Sequence, residues 1–288
     1  MSQLQRTIAK TGLHKLRPAG AVRRFVEGAG DVVLDVLDRV GAAVLLLREV
    51  LKWIWRSMTR PKVRIGRPAI ISQLVRVGVR SVFIVSLVSG CVGLILVLQM
   101  APPLDNFGSK ELSANILGVA ILRELGPLIA AIVLTGFAGA AIAAELGTMV
   151  VGEEIEALEA QALNPVRFLV IPRVLATIAG LAVLSVISNL TAIAAGYAVG
   201  VTVVGIPGQT FIDNLLQQAK TVDFVTGMVK SLVFGLLIGL IACTNGLRVS
   251  GGAAGVGKAT TETVVQSIVC IVIADLIFTV LFFALNLN

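Results

Sequence analysis

Four charged residues stand inside long apolar segments of this sequence, where a charge is costly unless a partner or water compensates it. They are Arg123, Glu124, Lys230 and Asp275. If these segments are membrane helices, a rise of about 1.5 Å per residue places all four roughly 12 to 17 Å below the same membrane surface. Two positive and two negative groups at one depth predict a single buried, nearly neutral network. Separate snorkelling of each charge to water is the alternative.

A second group of charges occupies segment 153–159, which holds four carboxylates within seven residues. Ile155 and Leu158 stand beside these acids, and a solvated loop has no need of such an apolar pair. Asn164-Pro165 after the segment is a typical helix boundary. We therefore expect a short helix that docks on a basic groove of a partner protein, with a solvated charged loop as the alternative. The segment consists of Glu153, Glu154, Ile155, Glu156, Ala157, Leu158 and Glu159.

The residue types that usually carry catalysis or bind metals are scarce in this chain. His14 is the only histidine, and the three cysteines stand singly in apolar segments, without the paired spacing of a metal site. We therefore expect no catalytic residues, no metal site and no cofactor-binding residues.

A glycine-rich stretch at 252–258 nearly matches a phosphate-binding loop. The hydroxyl residue that should follow Lys258 is displaced to Thr260, and no strand of an α/β domain precedes the stretch. We do not expect nucleotide binding here, so any ATP must be bound and hydrolysed by a separate chain.

The elements that carry these residues are apolar enough to lie in a membrane. The 288 residues are 56% hydrophobic and 14% charged, with a mean hydropathy of +0.94. Uncharged stretches of 24 and 39 residues follow Arg80 and Arg173, whereas about 20 apolar residues cross a bilayer. We expect an all-α integral membrane protein with five transmembrane helices. The expected spans are 81–103, 114–146, 170–204, 222–247 and 259–286.

Lysine and arginine are distributed asymmetrically along the chain. The first 80 residues hold 16 of them against five acids. Five spans put the two ends on opposite sides, and a cytoplasmic N-terminus leaves only Lys110 and Lys220 outside. The positive-inside rule therefore predicts a cytoplasmic N-terminus and a periplasmic C-terminus, and the asymmetry indicates topology rather than nucleic-acid binding. An organellar transit peptide stays open for residues 1–26, which hold six basic residues and no acid.

We divide the chain into a basic arm with an amphipathic helix, residues 1–69, and a five-helix transmembrane domain, residues 70–288. Within the first part, apolar residues recur on one helical face over 31–56, and Trp53 and Trp55 suit the headgroup level of a membrane. An interfacial helix is predicted, with a soluble helix packed on a partner as the alternative.

Small residues recur at the spacing that lets membrane helices approach closely. Packing within one chain explains them most simply, and contact between two copies is the alternative. Asn189, Asn245 and Glu145 are candidates for further buried polar contacts. The small residues are Gly136, Gly139, Ala140, Gly196, Gly200, Gly235 and Gly239.

Several ordered motifs resemble the MlaE/YrbE permease family of MCE-associated lipid transporters, over residues 70–288. The N-terminal extension is longer than this resemblance leads us to expect. The motifs are ILRELGP at 121–127, AELGTM at 144–149, EEIEAL at 153–158, Asn164-Pro165, Pro172-Arg173, KSLVFG at 230–235 and ATTETVV at 259–265.

The resemblance implies an interfacial N-terminal helix, five spans, and an assembly of two permeases, two cytoplasmic ATPases and a periplasmic ring of MCE proteins. It implies that segment 153–159 is the coupling helix that contacts the ATPase. The residues matching Arg123, Glu124, Lys230 and Asp275 lie in the membrane interior of such proteins. The lipid cavity is then expected between the two permeases.

The function we expect is that of a permease subunit of an ABC-type, MCE-associated transporter. It would move phospholipid or a related lipid between the cytoplasmic membrane and a periplasmic MCE partner, in a bacterial inner membrane and with a second, identical or paralogous permease. The alternative is a secondary transporter or ion pathway that uses the intramembrane charges. A non-transporting scaffold is a third class, and it would need neither the acidic helix nor the buried charges.

Overall fold

The computed structural model describes residues 19–59 and 67–285, and every regular element within them is a helix. The all-α fold expected from the sequence is therefore confirmed. The basic arm before residue 19, with His14, and the exit of the chain at 286–288 lie outside the described residues, as does most of the basic connector at 60–66. The proposed domain boundary at residue 69 stays a prediction.

Five helices are long and apolar enough to cross a membrane, which confirms the expected number of spans. The first begins about thirteen residues before the predicted start, because the basic end of the span continues the same helix. In chain order the helices are α1 Ala19–Thr59, α2 Pro68–Asp105, α3 Leu112–Val151, α4 Glu154–Ala160, α5 Val166–Thr202, α6 Gly208–Gln218, α7 Thr221–Leu247 and α8 Gly252–Ala284.

Helix α1 is longer than the predicted amphipathic segment and its apolar residues divide into two sets. From Leu46 onwards, Val50 is buried and Ile54 is half-buried against the core of the spans. Leu51 and Trp55 stay exposed instead. The part of α1 up to Leu45 belongs to a separate compact unit. Apolar side chains on the exposed face suit a membrane surface, and the interfacial position itself stays a prediction.

Helix α5 is the centre of the bundle and α8 lies at its edge. The most apolar window of α5 is 61% buried, against 17% for α8. Helices α2 and α7 both pack on α5 through glycines that bring two backbones together. A Cβ on Gly93 of α2 would lie 2.0 Å from the carbonyl oxygen of Ala192, and one on Gly235 of α7 would lie 2.7 Å from Cα of Ile178. These small residues thus serve packing within one chain.

Helix α3 contains two π-helical turns, and the one that concerns the charges, Ile121–Leu125, lies directly before Gly126-Pro127. Proline has no backbone N–H, so the regular hydrogen-bond ladder is interrupted at this point. The helix forms a wider turn here, in which the N–H of Gly126 donates to the carbonyl of Ile121, five residues earlier. Such turns often occur at functional positions, and this one carries two of the predicted intramembrane charges, Arg123 and Glu124.

Two connections differ from the prediction. The connection at 205–221, predicted to lie outside, contains a helix, α6, because Phe211 is buried against Gly200 and edge-on to Tyr197, with ring centroids 5.5 Å apart. The turn before the last span, predicted to lie inside, is shorter than predicted, since α8 already begins at Gly252. The stretch that resembled a phosphate-binding loop is therefore helical.

Candidate functional site

Lys230 of α7 lies at the centre of the intramembrane charges and is completely buried. Its Nζ donates to Glu124 Oε2 at 2.5 Å, to Asp275 Oδ1 at 2.9 Å and to the hydroxyl of Thr279 at 3.1 Å. A lysine ammonium has three N–H donors, so these three acceptors use all of them. We call Glu124, Lys230, Asp275 and Thr279 the lysine cluster.

Three spans deliver the lysine cluster. Glu124 comes from the π-helical turn of α3, and its side chain is 29% exposed, whereas Asp275 of α8 is 17% exposed. Thr279 lies one helical turn after Asp275, on the same face of α8, with its hydroxyl 3.1 Å from Glu124 Oε1. Two carboxylates therefore surround one ammonium, and the cluster joins α3, α7 and α8.

Arg123, the fourth predicted member, forms an ion pair with Asp223 of α7, with 3.8 Å between Nη1 and Oδ1. Asp223 also accepts the backbone N–H of Lys220 at the start of α7, so its carboxylate both caps the helix and faces the arginine. Sequence reasoning missed Asp223 and Thr279. Helical spacing could have identified both residues. Asp223 lies two turns before Lys230, and Thr279 lies one turn after Asp275, so each shares a helix face with a predicted member of the network.

Close packing holds the π-helical turn in place. A Cβ on Gly227 of α7 would lie 2.1 Å from the carbonyl oxygen of Leu122, so only glycine allows α7 this near. On the other side, the buried hydroxyl of Ser188 on α5 donates to the carbonyl of Gly126 at 3.0 Å and lies 2.7 Å from the hydroxyl of Ser89 on α2. The turn that carries Glu124 is thus fixed from α2, α5 and α7.

A second ionic cluster lies toward the other end of the spans, where Glu145 of α3 accepts from two arginines. Arg173 of α5 is buried and donates to Glu145 Oε2 at 3.3 Å and to the carbonyl of Leu169 at 2.9 Å. Arg76 of α2 contacts the other carboxylate oxygen. The sequence indicated a buried polar role for Glu145 without its partners. Asn245, indicated with it, donates to Thr263 and Gln266 of α8.

The predicted coupling segment forms α4, a two-turn helix that packs on the end of α3 and contains no buried residue. Its carboxylates Glu154, Glu156 and Glu159 are exposed, as is Glu153 directly before it, whereas Ile155 and Leu158 are half-buried. Glu153 adopts a left-handed conformation, φ 58°, which turns the chain sharply out of α3. The segment therefore presents a row of acids from a defined helix.

The lysine cluster holds charges without an activated nucleophile, so its chemistry is electrostatic. A buried ammonium whose donors are all used links three helices and leaves no N–H for a substrate. Within residues 19–59 and 67–285, no three His, Cys, Asp or Glu side chains are grouped as metal ligands. The expectation of no cofactor and no metal stays a prediction.

Comparison with known proteins agrees with the motifs. A family model described as Permease MlaE matches residues 70–281. A probable ABC transporter permease protein of Rickettsia bellii is 36% identical over 214 residues, covering 74% of this chain and 83% of that protein. The chloroplastic protein TRIGALACTOSYLDIACYLGLYCEROL 1 of Arabidopsis thaliana is 34% identical over 243 residues, covering 81% of this chain and 69% of that protein.

A third relative spans nearly all of both chains. The intermembrane phospholipid transport system permease protein MlaE of Haemophilus influenzae is 29% identical over 260 residues, covering 90% of this chain and 97% of that protein. Residues 70–281, which the family model matches, include the lysine cluster, Glu145 with its arginines, and α4. The resemblance deduced from the motifs is thereby confirmed, and this multi-pass membrane protein belongs to the MlaE permease family.

Proposed function

We propose that this chain is the non-catalytic permease subunit of an ABC transporter that moves phospholipid or a related lipid. The family match over residues 70–281, together with the permease names of its relatives, is the observation that carries the proposal. Lipid would pass between the cytoplasmic membrane of a bacterium and a periplasmic MCE-domain protein. The 20 predicted cytoplasmic Lys/Arg support an inner-membrane orientation with the N-terminus inside.

ATP would be bound and hydrolysed by a separate cytoplasmic ATPase that docks on α4. The exposed carboxylates of α4 support this role, since an acidic helix suits a basic groove. This chain would then hold no cofactor of its own. Motion of the ATPase would reach the spans through α3, because α4 follows α3 after a sharp turn at Glu153.

A second permease subunit, identical or paralogous, would complete the lipid cavity. The exposed apolar residues of α8 support a membrane-embedded partner or lipid on that face, since α8 is the least buried span. The exposed residues include Val265, Val269, Val272, Leu276 and Val280. A homodimer and a heterodimer both fit this surface.

The alternative, a secondary transporter or ion pathway, is less well supported. An ion-carrying lysine needs donors that can exchange partners along a wet path, whereas all three N–H groups of Lys230 already have acceptors. A scaffold without transport would not explain the exposed acids of α4.

The coupling role predicts the behaviour of Glu154→Lys combined with Glu156→Lys. Both side chains are exposed, so the reversal should leave the fold intact. Like-charge contact with a basic groove should cost several kcal/mol of association and uncouple ATP hydrolysis from lipid transfer. The measurement is copurification of the ATPase from native membranes, followed by lipid transfer in proteoliposomes.

A matched control reverses Asp105 and Glu111, two exposed carboxylates at the opposite ends of their spans from α4. This control should retain the ATPase. Normal copurification and transport by the α4 variant would refute the docking role. Mass spectrometry of the wild-type complex identifies its subunits and bound lipids, and a complex that contains neither an ATPase nor lipid would refute the permease proposal itself.

A further inference from the structure

A groove between α2 and α3 lies beside the second ionic cluster and includes Glu145 in its lining. Its volume is about 390 Å³, within the roughly 300 to 1,000 Å³ of small-molecule sites. We call it the α2–α3 groove, and its lining includes Gln73, Arg76, Arg80, Phe137, Ala141 and Glu145. The groove is thus lined both by polar and charged side chains and by apolar side chains.

Arg80 is the unusual member of this groove. Its side chain is exposed, and within the described part of the chain it forms no hydrogen bond or ion pair. Counted back from Asp105 at the outer end of α2, Arg80 lies 25 residues, or about 37 Å, along the helix. A bilayer with its headgroups is about 40 to 45 Å thick. Arg80 therefore lies near the headgroup level of the inner leaflet, where lipid phosphates are found.

The groove carries more positive than negative charge. Arg76 and Arg80 face a single lining carboxylate, Glu145, and that carboxylate is already shared with the buried Arg173. Gln73 adds a buried Oε1 atom that has no hydrogen-bond donor within the described residues. The groove thus offers donors for an anion and an acceptor for a hydroxyl group.

We propose that the α2–α3 groove binds an anionic glycerophospholipid of the inner leaflet by its phosphate. Arg80 and Arg76 would donate to the phosphate oxygens, and a headgroup hydroxyl would donate to Gln73. The apolar side chains of Phe137 and Ala141 are exposed and suit the first carbons of an acyl chain. An anionic lipid fits better than a soluble phosphate, because only an amphiphile satisfies both the arginines and this apolar wall.

The inference rests on the orientation proposed above but not on transport, and binding alone tests it. Full-length protein in detergent is titrated with dioleoyl-phosphatidylglycerol or dioleoyl-phosphatidylcholine, and native mass spectrometry counts the bound lipids. Wild type should bind phosphatidylglycerol more tightly than phosphatidylcholine. Arg80→Gln should weaken phosphatidylglycerol binding about tenfold, as expected for the loss of a hydrogen bond between charged groups.

Two further variants separate the groove from general surface charge. Arg48→Gln removes one exposed arginine from α1 and should leave binding unchanged. Ala141→Phe keeps every charge but fills the groove, and it should weaken binding as Arg80→Gln does. Ala141→Phe also tests the site on its own if Arg80→Gln does not yield monodisperse protein.

Three results would overturn the proposal. One is wild-type affinity for phosphatidylglycerol in both Arg80→Gln and Ala141→Phe. Another is competition by glycerol 1-phosphate as strong as by the lipid, which would make the groove a site for soluble phosphate. The third is a disulfide between two copies of Ala141→Cys in membranes, which would show that a second copy covers the groove.

Discussion

At the scale of single residues, Lys230 has the most demanding environment in the described structure. An ammonium without solvent contact in a membrane span is tolerated because Glu124, Asp275 and Thr279 replace its water. The carboxylates of Glu124 and Asp275 are only partly buried, at 29% and 17% exposure. Lys230 is therefore the residue that contacts all three other members of the lysine cluster.

The lysine cluster predicts unequal effects of its members. Lys230→Met should cost about 3 to 5 kcal/mol of stability, because it leaves two carboxylates facing each other without a cation. Asp275→Asn should cost less, since Glu124 still compensates Lys230 and the amide keeps a hydrogen bond. Thermal unfolding in detergent gives the ranking.

A double-mutant cycle with Lys230→Met and Asp275→Leu measures the coupling between the two sites. The double variant should lose less than the sum of the single variants. Additive losses would instead mean that the charges are solvated separately.

At the scale of helices, close packing at glycines decides which spans meet. Gly235 lies against the backbone of Thr177 and Ile178, so α7 touches α5 without a side chain between them. Gly136 of α3 was grouped with it by sequence spacing, yet nothing lies within 4 Å of the position of its Cβ. The same residue type thus has different consequences at the two positions.

Gly235→Ala should destabilise the bundle, whereas Gly136→Ala should not. The added methyl at Gly235 would lie 2.7 Å from Cα of Ile178, and overpacking of this kind costs about 1 to 3 kcal/mol. At Gly136 the same methyl has open space and should stabilise the helix by up to about 1 kcal/mol. Unfolding of both variants in one detergent tests the contrast, and equal losses would contradict the packing.

At the scale of the whole molecule, the distribution of charge gives each surface a side of the membrane. Ser109 lies between α2 and α3, in a connection predicted to be outside, and Ser250 lies between α7 and α8, in one predicted to be inside. The α2–α3 groove and α4 then both face the cytoplasmic side, where lipid headgroups and the ATPase would be reached.

Site-directed labelling tests this orientation. In intact spheroplasts, Ser109→Cys should react with a membrane-impermeant maleimide, and Ser250→Cys should react only after lysis. The natural cysteines all lie inside spanning helices, so wild type gives the background. Labelling of Ser250→Cys before lysis, with protection of Ser109→Cys, would reverse the orientation.

Much of this arrangement was determined by the sequence alone. Long uncharged stretches determine the five spans because a bilayer core accepts little else, and the glutamates of 153–159 mark α4 because they interrupt an apolar chain. The ordered motifs led to the family, which the comparisons confirmed. Charges at equal depth singled out Glu124, Lys230 and Asp275, since depth follows directly from helical rise.

Only the tertiary structure decided which of these groups meet. Pairing depends on the rotation of each helix about its axis, and packing at positions such as Gly227 sets that rotation. The depth of each residue in the membrane was therefore not enough to predict that Arg123 pairs with Asp223 or that Arg76 contacts Glu145. The helix at Phe211 and the groove beside Arg80 likewise arise from contacts between distant segments, which the order of residues along the chain does not reveal.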